Sequence, residues 1–288
     1  MNETACQFGD DQRLAGIVTE PSDGRPTLGV VLVTAGLLPK SGPFRLYAEL
    51  ARHLAQQGVV TLRFDLGGVG DSVEERAGRP LRERTALEIR AAVDYLSQRF
   101  AVRRLVLGGL CSGAEDALRG AAADARVTGV VMIDPFAYRA PGWHARHLLH
   151  RLSRRVLRAV GLYRPIPAST SKPTERAVHY QYMERGEARA TLVTLLRRDA
   201  HVHFLYTAGV REVFNHPSQV RAWFPDLDFG DRLTVDHFPQ LDHTQLLSED
   251  RRTLVRAIAV RLQAEAEPPP PIEPLPLAVL EPALSPAE

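Results

Sequence analysis

The sequence predicts an α/β fold with a mainly parallel sheet, and three observations support this prediction. Short runs of aliphatic and β-branched residues recur along the chain, segments with helical spacing separate them, and the apolar runs are continuous. Continuous runs of this length are typical of strands that are buried on both faces. Strands that alternate with helices indicate a parallel sheet covered by helices.

The strand predictions follow the apolar runs in chain order. The run Leu14–Glu20 is assigned to an antiparallel strand at the N-terminal side of the sheet. The buried parallel strands are predicted at Gly29–Thr34, Val59–Phe64, Arg104–Leu107, Gly129–Ile133, His203–Tyr206 and Leu233–His237.

Helical spacing appears between these strands. The segment Arg45–Gln57 ends at Gly58, a residue suited to a helix C-terminus. The residues expected on its buried face are Leu46, Leu50, Ala51 and Leu54. The segment Thr85–Gln98 has a similar predicted face, formed by Leu87, Ile89, Ala92, Val93 and Leu96.

The domain organisation is predicted from where the strand–helix alternation stops. Residues 138–200 contain helical patterns without a convincing strand, so we expect a helical cap inserted in a core formed by 1–137 and 201–264. The proline density of 265–288 is incompatible with a helix or a sheet ladder and predicts a disordered tail.

Composition excludes several classes of function. The 288 residues carry a net charge of +2, which is too near balance to indicate a polyanion partner for the whole chain. We see no metal-ligand spacing, no phosphate-binding loop and no basic groove interleaved with aromatic residues, so we expect no metal, organic cofactor or nucleic acid. The two cysteines, the lack of a secretory signal pattern and the lack of a long apolar run predict a cytoplasmic protein without a transmembrane segment.

The stretch LGGLCSGA, residues 107–114, is the strongest chemical signal, because a predicted strand enters it and a helical pattern leaves it. A nucleophile on such a sharp strand–turn–helix connection needs small residues two positions before and two positions after it. Cys111 has Gly109 and Gly113 there, whereas Ser112 would have Leu110 and an alanine. The spacing therefore selects Cys111 as the nucleophile and makes Ser112 the residue whose backbone N–H points into an oxyanion hole.

Three further segments, together with this turn, resemble the α/β-hydrolase superfamily over residues 10–263. Residues 33–58 look like its oxyanion loop and first helix, residues 63–72 like the segment after its second core strand, and residues 241–262 like its histidine loop and last helix. Within the superfamily, GLCSGA is most similar to hydrolases associated with bacterial exosortase and exopolysaccharide clusters. The cysteine also resembles that of dienelactone hydrolase.

The resemblance implies the partners of the nucleophile. His243 lies where the family's histidine falls, after the last predicted strand. Glu212 occupies the usual position of the acid, and Asp134, after an earlier strand, is the alternative. The backbone N–H groups of Leu37 and Ser112 would form the oxyanion hole, although this chain lacks the His-Gly pair common in relatives.

These residues favour hydrolysis of an ester or thioester through an acyl-enzyme on the cysteine. Two alternatives remain: acyl transfer from the same Cys-His-acid triad, and a non-catalytic binding protein that kept the fold. The segment 135–174 carries eight arginines and lysines and no Asp or Glu. This basic cap would suit a small or carrier-bound acyl substrate with anionic groups, or an anionic surface.

Overall fold

Eight strands form one sheet at the centre of the structure, in the order β1-β2-β4-β3-β5-β6-β7-β8. The computed structural model describes residues 1–22, 26–75, 78–159 and 183–266. The strands are β1 (Asn2–Phe8), β2 (Leu14–Glu20), β3 (Leu28–Val33), β4 (Val60–Phe64), β5 (Arg104–Leu110), β6 (Val127–Ile133), β7 (His201–Thr207) and β8 (Leu233–Phe238).

The sheet is parallel from β4 to β8 and antiparallel where β1 and β2 join it. The predicted mainly parallel α/β architecture is thus confirmed, and the predicted antiparallel strand coincides with β2. Because β3, β5, β6 and β7 run side by side in one direction, their carboxyl ends meet at one edge of the sheet. The turn at Cys111 follows β5, so this edge positions the candidate site.

Seven α-helices lie in the described part of the chain. They are α1 (Leu46–Ala55), α2 (Leu81–Arg99), α3 (Ser112–Ala123), α4 (Trp143–Ala159), α5 (Arg185–Leu196), α6 (Ser218–Trp223) and α7 (Ser248–Ala266). Two apolar cores lie on the two faces of the sheet. One packs α2, α3, α5 and α6 against the strands, and the other packs α1 and α7. None of these helices is long and apolar enough to cross a membrane.

Two details of the sequence prediction require correction. Leu87, which was expected on the buried face of the second predicted helix, is 41% exposed, whereas Ile89, Ala92, Val93 and Leu96 are buried. The expected tail starts too early, because Glu265 belongs to the last turn of α7. The rest of the proline-rich segment, 267–288, lies outside the described residues.

The predicted insertion 138–200 contains α4 and α5 and ends where β7 begins. Residues 160–182, between the two helices, lie outside the described part of the chain. The helical content expected for this segment is confirmed in the residues that are described, while its assignment as a separate cap stays a prediction.

Candidate active site

Cys111 lies on the sharp turn between β5 and α3, at the carboxyl edge of the sheet. Its φ of 53° and ψ of −121° lie in a region that non-glycine residues rarely adopt. Its carbonyl accepts hydrogen bonds from the first N–H groups of α3, at 3.0 Å from Ala114 and 3.3 Å from Glu115. Cys111 therefore begins the helix, and its thiol lies beside the positive end of the helix dipole.

The two glycines that flank this turn are required by close backbone contacts. A Cβ at Gly109 would lie 2.3 Å from the carbonyl oxygen of Gly113, and a Cβ at Gly113 would lie 2.5 Å from that of Val33. Neither contact leaves room for a side chain, since carbon and oxygen normally approach to about 3.3 Å or more. The small residues that the sequence predicted around Cys111 are thus explained by packing of α3 directly on β3 and β5.

A buried tyrosine, which the sequence analysis did not single out, holds the strand that leads into the turn. The hydroxyl of Tyr47 donates to the carbonyl of Val33 at 2.9 Å and accepts from the N–H of Leu110 at 2.9 Å. Burial raises the pKa of Tyr47, so the group stays a neutral donor and acceptor. It ties the end of β3 to the residue that precedes the nucleophile.

His243 lies on the loop after β8 and contacts both an acid and the thiol. Its Nδ1 donates to Oδ2 of Asp134 at 2.6 Å, and Cys111 is its second side-chain hydrogen-bond partner. Burial opposes the charged ring, but the hydrogen bonds with Asp134 and Cys111 outweigh it and raise the pKa of His243 to about 10. At neutral pH the ring is therefore an imidazolium between a carboxylate and the sulfur.

Asp134 is held in place by hydrogen bonds with the neighbouring strand β7. It follows β6 with a φ of 45°, and its side chain is buried. Its Oδ1 accepts from the N–H of Thr207 at 2.6 Å, and its Oδ2 accepts from the hydroxyl of Thr207. Its own N–H donates to the carbonyl of Leu205 at 2.8 Å. The carboxylate thus reaches His243 with its other acceptor sites already occupied.

Glu212, the first choice for the acid in the sequence analysis, is not brought to the histidine. It lies exposed, just beyond the short helical turn Ala208–Val210, and Nδ1 of His243 is occupied by Asp134. The alternative weighed from the sequence, Asp134, is the carboxylate in contact with His243.

Gly209 also contacts the histidine, a role that the sequence did not reveal. A Cβ at this position would lie 2.5 Å from Nδ1 of His243 and 2.7 Å from its Cγ. The N–H of Ala208 donates to the carbonyl of Leu241 at 2.9 Å, which joins the loop after β7 to the histidine loop. The ring therefore packs flat against backbone, in a space that only glycine leaves open.

The expected oxyanion loop follows β3 and turns at Gly36 and Leu37. The N–H of Leu38 donates to the carbonyl of Ala35 at 2.9 Å, and Gly36 has a φ of 53°. The N–H of Gly36 donates to Oγ of Ser112 at 3.1 Å. The hydroxyl of Ser112 is thus bound to this loop, whereas the side chain of Leu37 is 79% exposed.

An ion-paired cluster fixes the far end of the same loop. The N–H of Lys40 donates to Oδ1 of the buried Asp65 at 2.5 Å, and its ammonium lies 2.6 Å from Oδ2 of Asp65 and 2.5 Å from Asp71. In the sequence, only a resemblance to a family motif marks the segment that contains Asp65 and Asp71. In the structure this segment binds Lys40 and so anchors the backbone that leads from the expected oxyanion loop into α1.

The residues just before α5 are anchored to α3, the helix that follows Cys111. The carboxylate of Glu115 in α3 is buried and accepts from the N–H of Met183 at 2.8 Å. The hydroxyl of Tyr138 donates to the carbonyl of Met183 at 2.6 Å. The backbone N–H and the carbonyl of Met183, just before α5, are therefore both hydrogen-bonded, the N–H to the helix that follows Cys111.

The comparisons with known proteins agree with the fold. A family model described as "Serine aminopeptidase, S33" matches residues 25–207, which is more than half of the chain. No curated protein matches the chain. Several solved structures do, at 13–16% sequence identity, and at this identity they show the fold alone.

Three of these structures illustrate the match. An α/β serine hydrolase without a lid from Xanthomonas campestris has 16% identity and a TM-score of 0.57, with coverage of 94% of this chain and 98% of its own. An esterase from Pyrococcus furiosus has 13% identity and a TM-score of 0.59, with 91% of each chain covered. Est1E from Butyrivibrio proteoclasticus has 14% identity and a TM-score of 0.55, covering 91% and 98%. The α/β-hydrolase fold expected from the sequence is confirmed.

Proposed function

Because this chain belongs to the α/β-hydrolase family described as serine aminopeptidase S33, we propose that it is a hydrolase whose nucleophile is a cysteine. The observation that carries the proposal is the continuous series Cys111, His243 and Asp134 at the carboxyl edge of the sheet. The family and the structure from Xanthomonas campestris are named for serine, so a cysteine nucleophile would be a departure of this chain.

The first half of the proposed reaction makes an acyl-enzyme. The sulfur of Cys111, paired with the imidazolium of His243, attacks the carbonyl carbon of an ester or thioester, and the carbonyl π electrons move to oxygen. The backbone N–H groups of Leu37 and Ser112 would stabilise that oxyanion. As the tetrahedral intermediate collapses, the bond to the leaving alcohol or thiol breaks and His243 gives it a proton.

The second half regenerates the enzyme. Neutral His243 takes a proton from water, the hydroxide attacks the acyl carbon, and the bond from that carbon to sulfur breaks. The products are a carboxylic acid and the cysteine–histidine pair in its starting state. Asp134 holds the ring by Nδ1, which directs Nε2 towards the thiol and stabilises the imidazolium without itself taking a proton.

Acyl transfer is the second candidate, because a thioester intermediate reacts with amines and thiols as well as with water. It predicts slow turnover in water that accelerates when an amine or thiol acceptor is added.

The two free cysteines, Cys6 and Cys111, fit a reducing compartment such as the cytoplasm. The suggested association with exopolysaccharide clusters stays a prediction.

The test compares hydrolysis of a short-chain p-nitrophenyl ester and of an acyl thioester by wild type, Cys111→Ala and Cys6→Ala. Cys6, on β1 at the far edge of the sheet, is the matched control. Loss of the nucleophile should lower kcat by about 10³-fold or more, while Cys6→Ala stays near wild type. Equal turnover by Cys111→Ala and wild type would refute the proposal, and an inert wild type would favour the binding-protein alternative.

A further inference from the structure

Helix α4 carries an apolar stripe that faces solvent in the structure. The side chains of Leu148, Leu149, Leu152 and Val156 are 58%, 65%, 47% and 62% exposed. Their spacing places them on one side of the helix. The leucines of α1, by contrast, are buried at 1% or less. A cluster of large, exposed apolar side chains on one helix is typical of a surface that binds another protein, a membrane or an apolar ligand.

The segment of the chain that contains this stripe carries charges of a single sign. No Asp or Glu occurs between Pro135 and Thr174, and the exposed Arg155 and Arg158 lie on the same helix as the stripe. Other arginines near the start of the helix have structural contacts. The guanidinium of Arg139 lies 4.9 Å from the ring centroid of Trp143, and Arg146 donates to Asn215 at 3.0 Å.

The position of α4 relates the stripe to the candidate active site. The helix starts nine residues after Asp134, at the carboxyl edge of the sheet. Its first turn is fixed to the loop after β7, because Asn215 donates to the carbonyl of Trp143 at 3.2 Å and accepts from Arg146. The anchored end is thus near the catalytic edge, and the exposed stripe occupies the turns that follow.

We propose that α4 is a binding surface for an anionic lipid membrane, on which it lies in the plane of the headgroups. The leucine and valine side chains enter the boundary between headgroups and acyl chains, and the arginines pair with lipid phosphates. Lipid fits better than a folded acidic protein, since the apolar side chains form a narrow stripe flanked by cations rather than a cavity for an inserted side chain. The proposal does not rest on the catalytic function, and Cys111→Ala should bind as wild type does.

The test is co-sedimentation of the full chain with vesicles of two compositions. One set contains phosphatidylcholine alone, and the other contains roughly one-third phosphatidylglycerol. Wild type should bind the anionic vesicles at least about tenfold more tightly, and the difference should shrink as salt is raised. Equal partitioning to both compositions, or sedimentation with neither, would overturn the proposal.

Two sets of substitutions locate the surface. Replacement of Leu148, Leu149, Leu152 and Val156 by Gln in one chain should weaken binding by about tenfold or more. The double variant Arg155→Gln, Arg158→Gln should remove most of the dependence on salt. The matched control is Leu87→Gln with Val260→Gln, which removes exposed apolar side chains from α2 and α7 and should bind as wild type. Unchanged binding by the four-residue variant, with circular dichroism like wild type, would contradict the assignment to α4.

Discussion

Replacing Gly209 by Ala should displace the catalytic histidine without unfolding the protein. The added Cβ would lie 2.5 Å from Nδ1 of His243, and an ordinary contact needs about 3.5 Å, so the ring must move by about 1 Å. The hydrogen bond from Nδ1 to Asp134 is 2.6 Å long, and a displacement of this size takes it out of bonding range or turns Nε2 away from Cys111. A misplacement of about 1 Å costs on the order of 10²-fold in rate.

The assay is the rate at which Cys111 is acylated by an activated short-chain ester, followed by stopped flow. Gly186→Ala is the matched control, because a Cβ there meets nothing within 4 Å and the residue lies in α5. Gly209→Ala should be slower by about 10²-fold, with a melting temperature close to that of the control. If Gly209→Ala is acylated at a rate within about threefold of the control's, the claim that Gly209 positions the ring is refuted.

The remaining predictions concern the acid, the histidine and the turn. Asp134→Asn should lower kcat by about 10³–10⁴-fold, because the ring loses its orienting carboxylate, while Glu212→Gln stays within a few-fold of wild type. If a steady-state assay shows the larger loss in Glu212→Gln, Glu212 is the acid, as the sequence first suggested. By NMR, the pKa of His243 should be near 10. It should fall in Cys111→Ala and in Asp134→Asn, since both partners raise it. A wild-type midpoint near 6.5 would contradict the ion pair. Because folding raises this pKa, protonated His243 stabilises the folded state fully below about pH 6.5, and this stabilisation is lost as the pH rises towards 10. Denaturant titrations across this range should show a smaller decrease in the free energy of unfolding for Asp134→Asn than for wild type. Gly113→Ala should destabilise the protein by about 1–3 kcal/mol, because its Cβ would collide with backbone carbonyls, and unchanged thermal unfolding would count against that contact.

Much of the fold was predictable because burial on both faces leaves a simple signal. The runs behind β3, β5 and β6 are mainly aliphatic, and the burial of their side chains is what selects such residues. Strand β1 was missed because its sequence, NETACQF, mixes polar residues with few apolar ones. It lies at the edge of the sheet with most of its side chains exposed, so no apolar run was needed there.

The sharp turn at Cys111 was also predictable from the sequence, since its steric requirement acts on residues close to one another in the chain. Gly109 and Gly113 are small for reasons internal to the turn, namely the approach of α3 to the strands. Leu87 was misassigned because it does not share the helical spacing of the buried residues. At roughly 100° per residue it lies about 160° from Ile89 and about 180° from Leu96, so it faces away from the core.

The choice of acid could not be made from sequence, because two consecutive parallel strands end at the same edge of the sheet. Asp134 and Glu212 both follow such strands, and only the path of the loops decides which carboxylate meets His243. The partners that settle it, the N–H and hydroxyl of Thr207, are 73 residues away from Asp134. The contacts of Gly209 and Tyr47 are likewise three-dimensional and have no local signature.

The most direct test of the central claim is the intact mass of the protein after brief exposure to an activated short-chain acyl ester, with peptide mapping of the product. Wild type and Ser112→Ala should gain one acyl group on Cys111, and Cys111→Ala should gain none. Labelling of Ser112 in wild type, or an acyl group on Cys111→Ala equal to that on wild type, would show that the nucleophile is not Cys111.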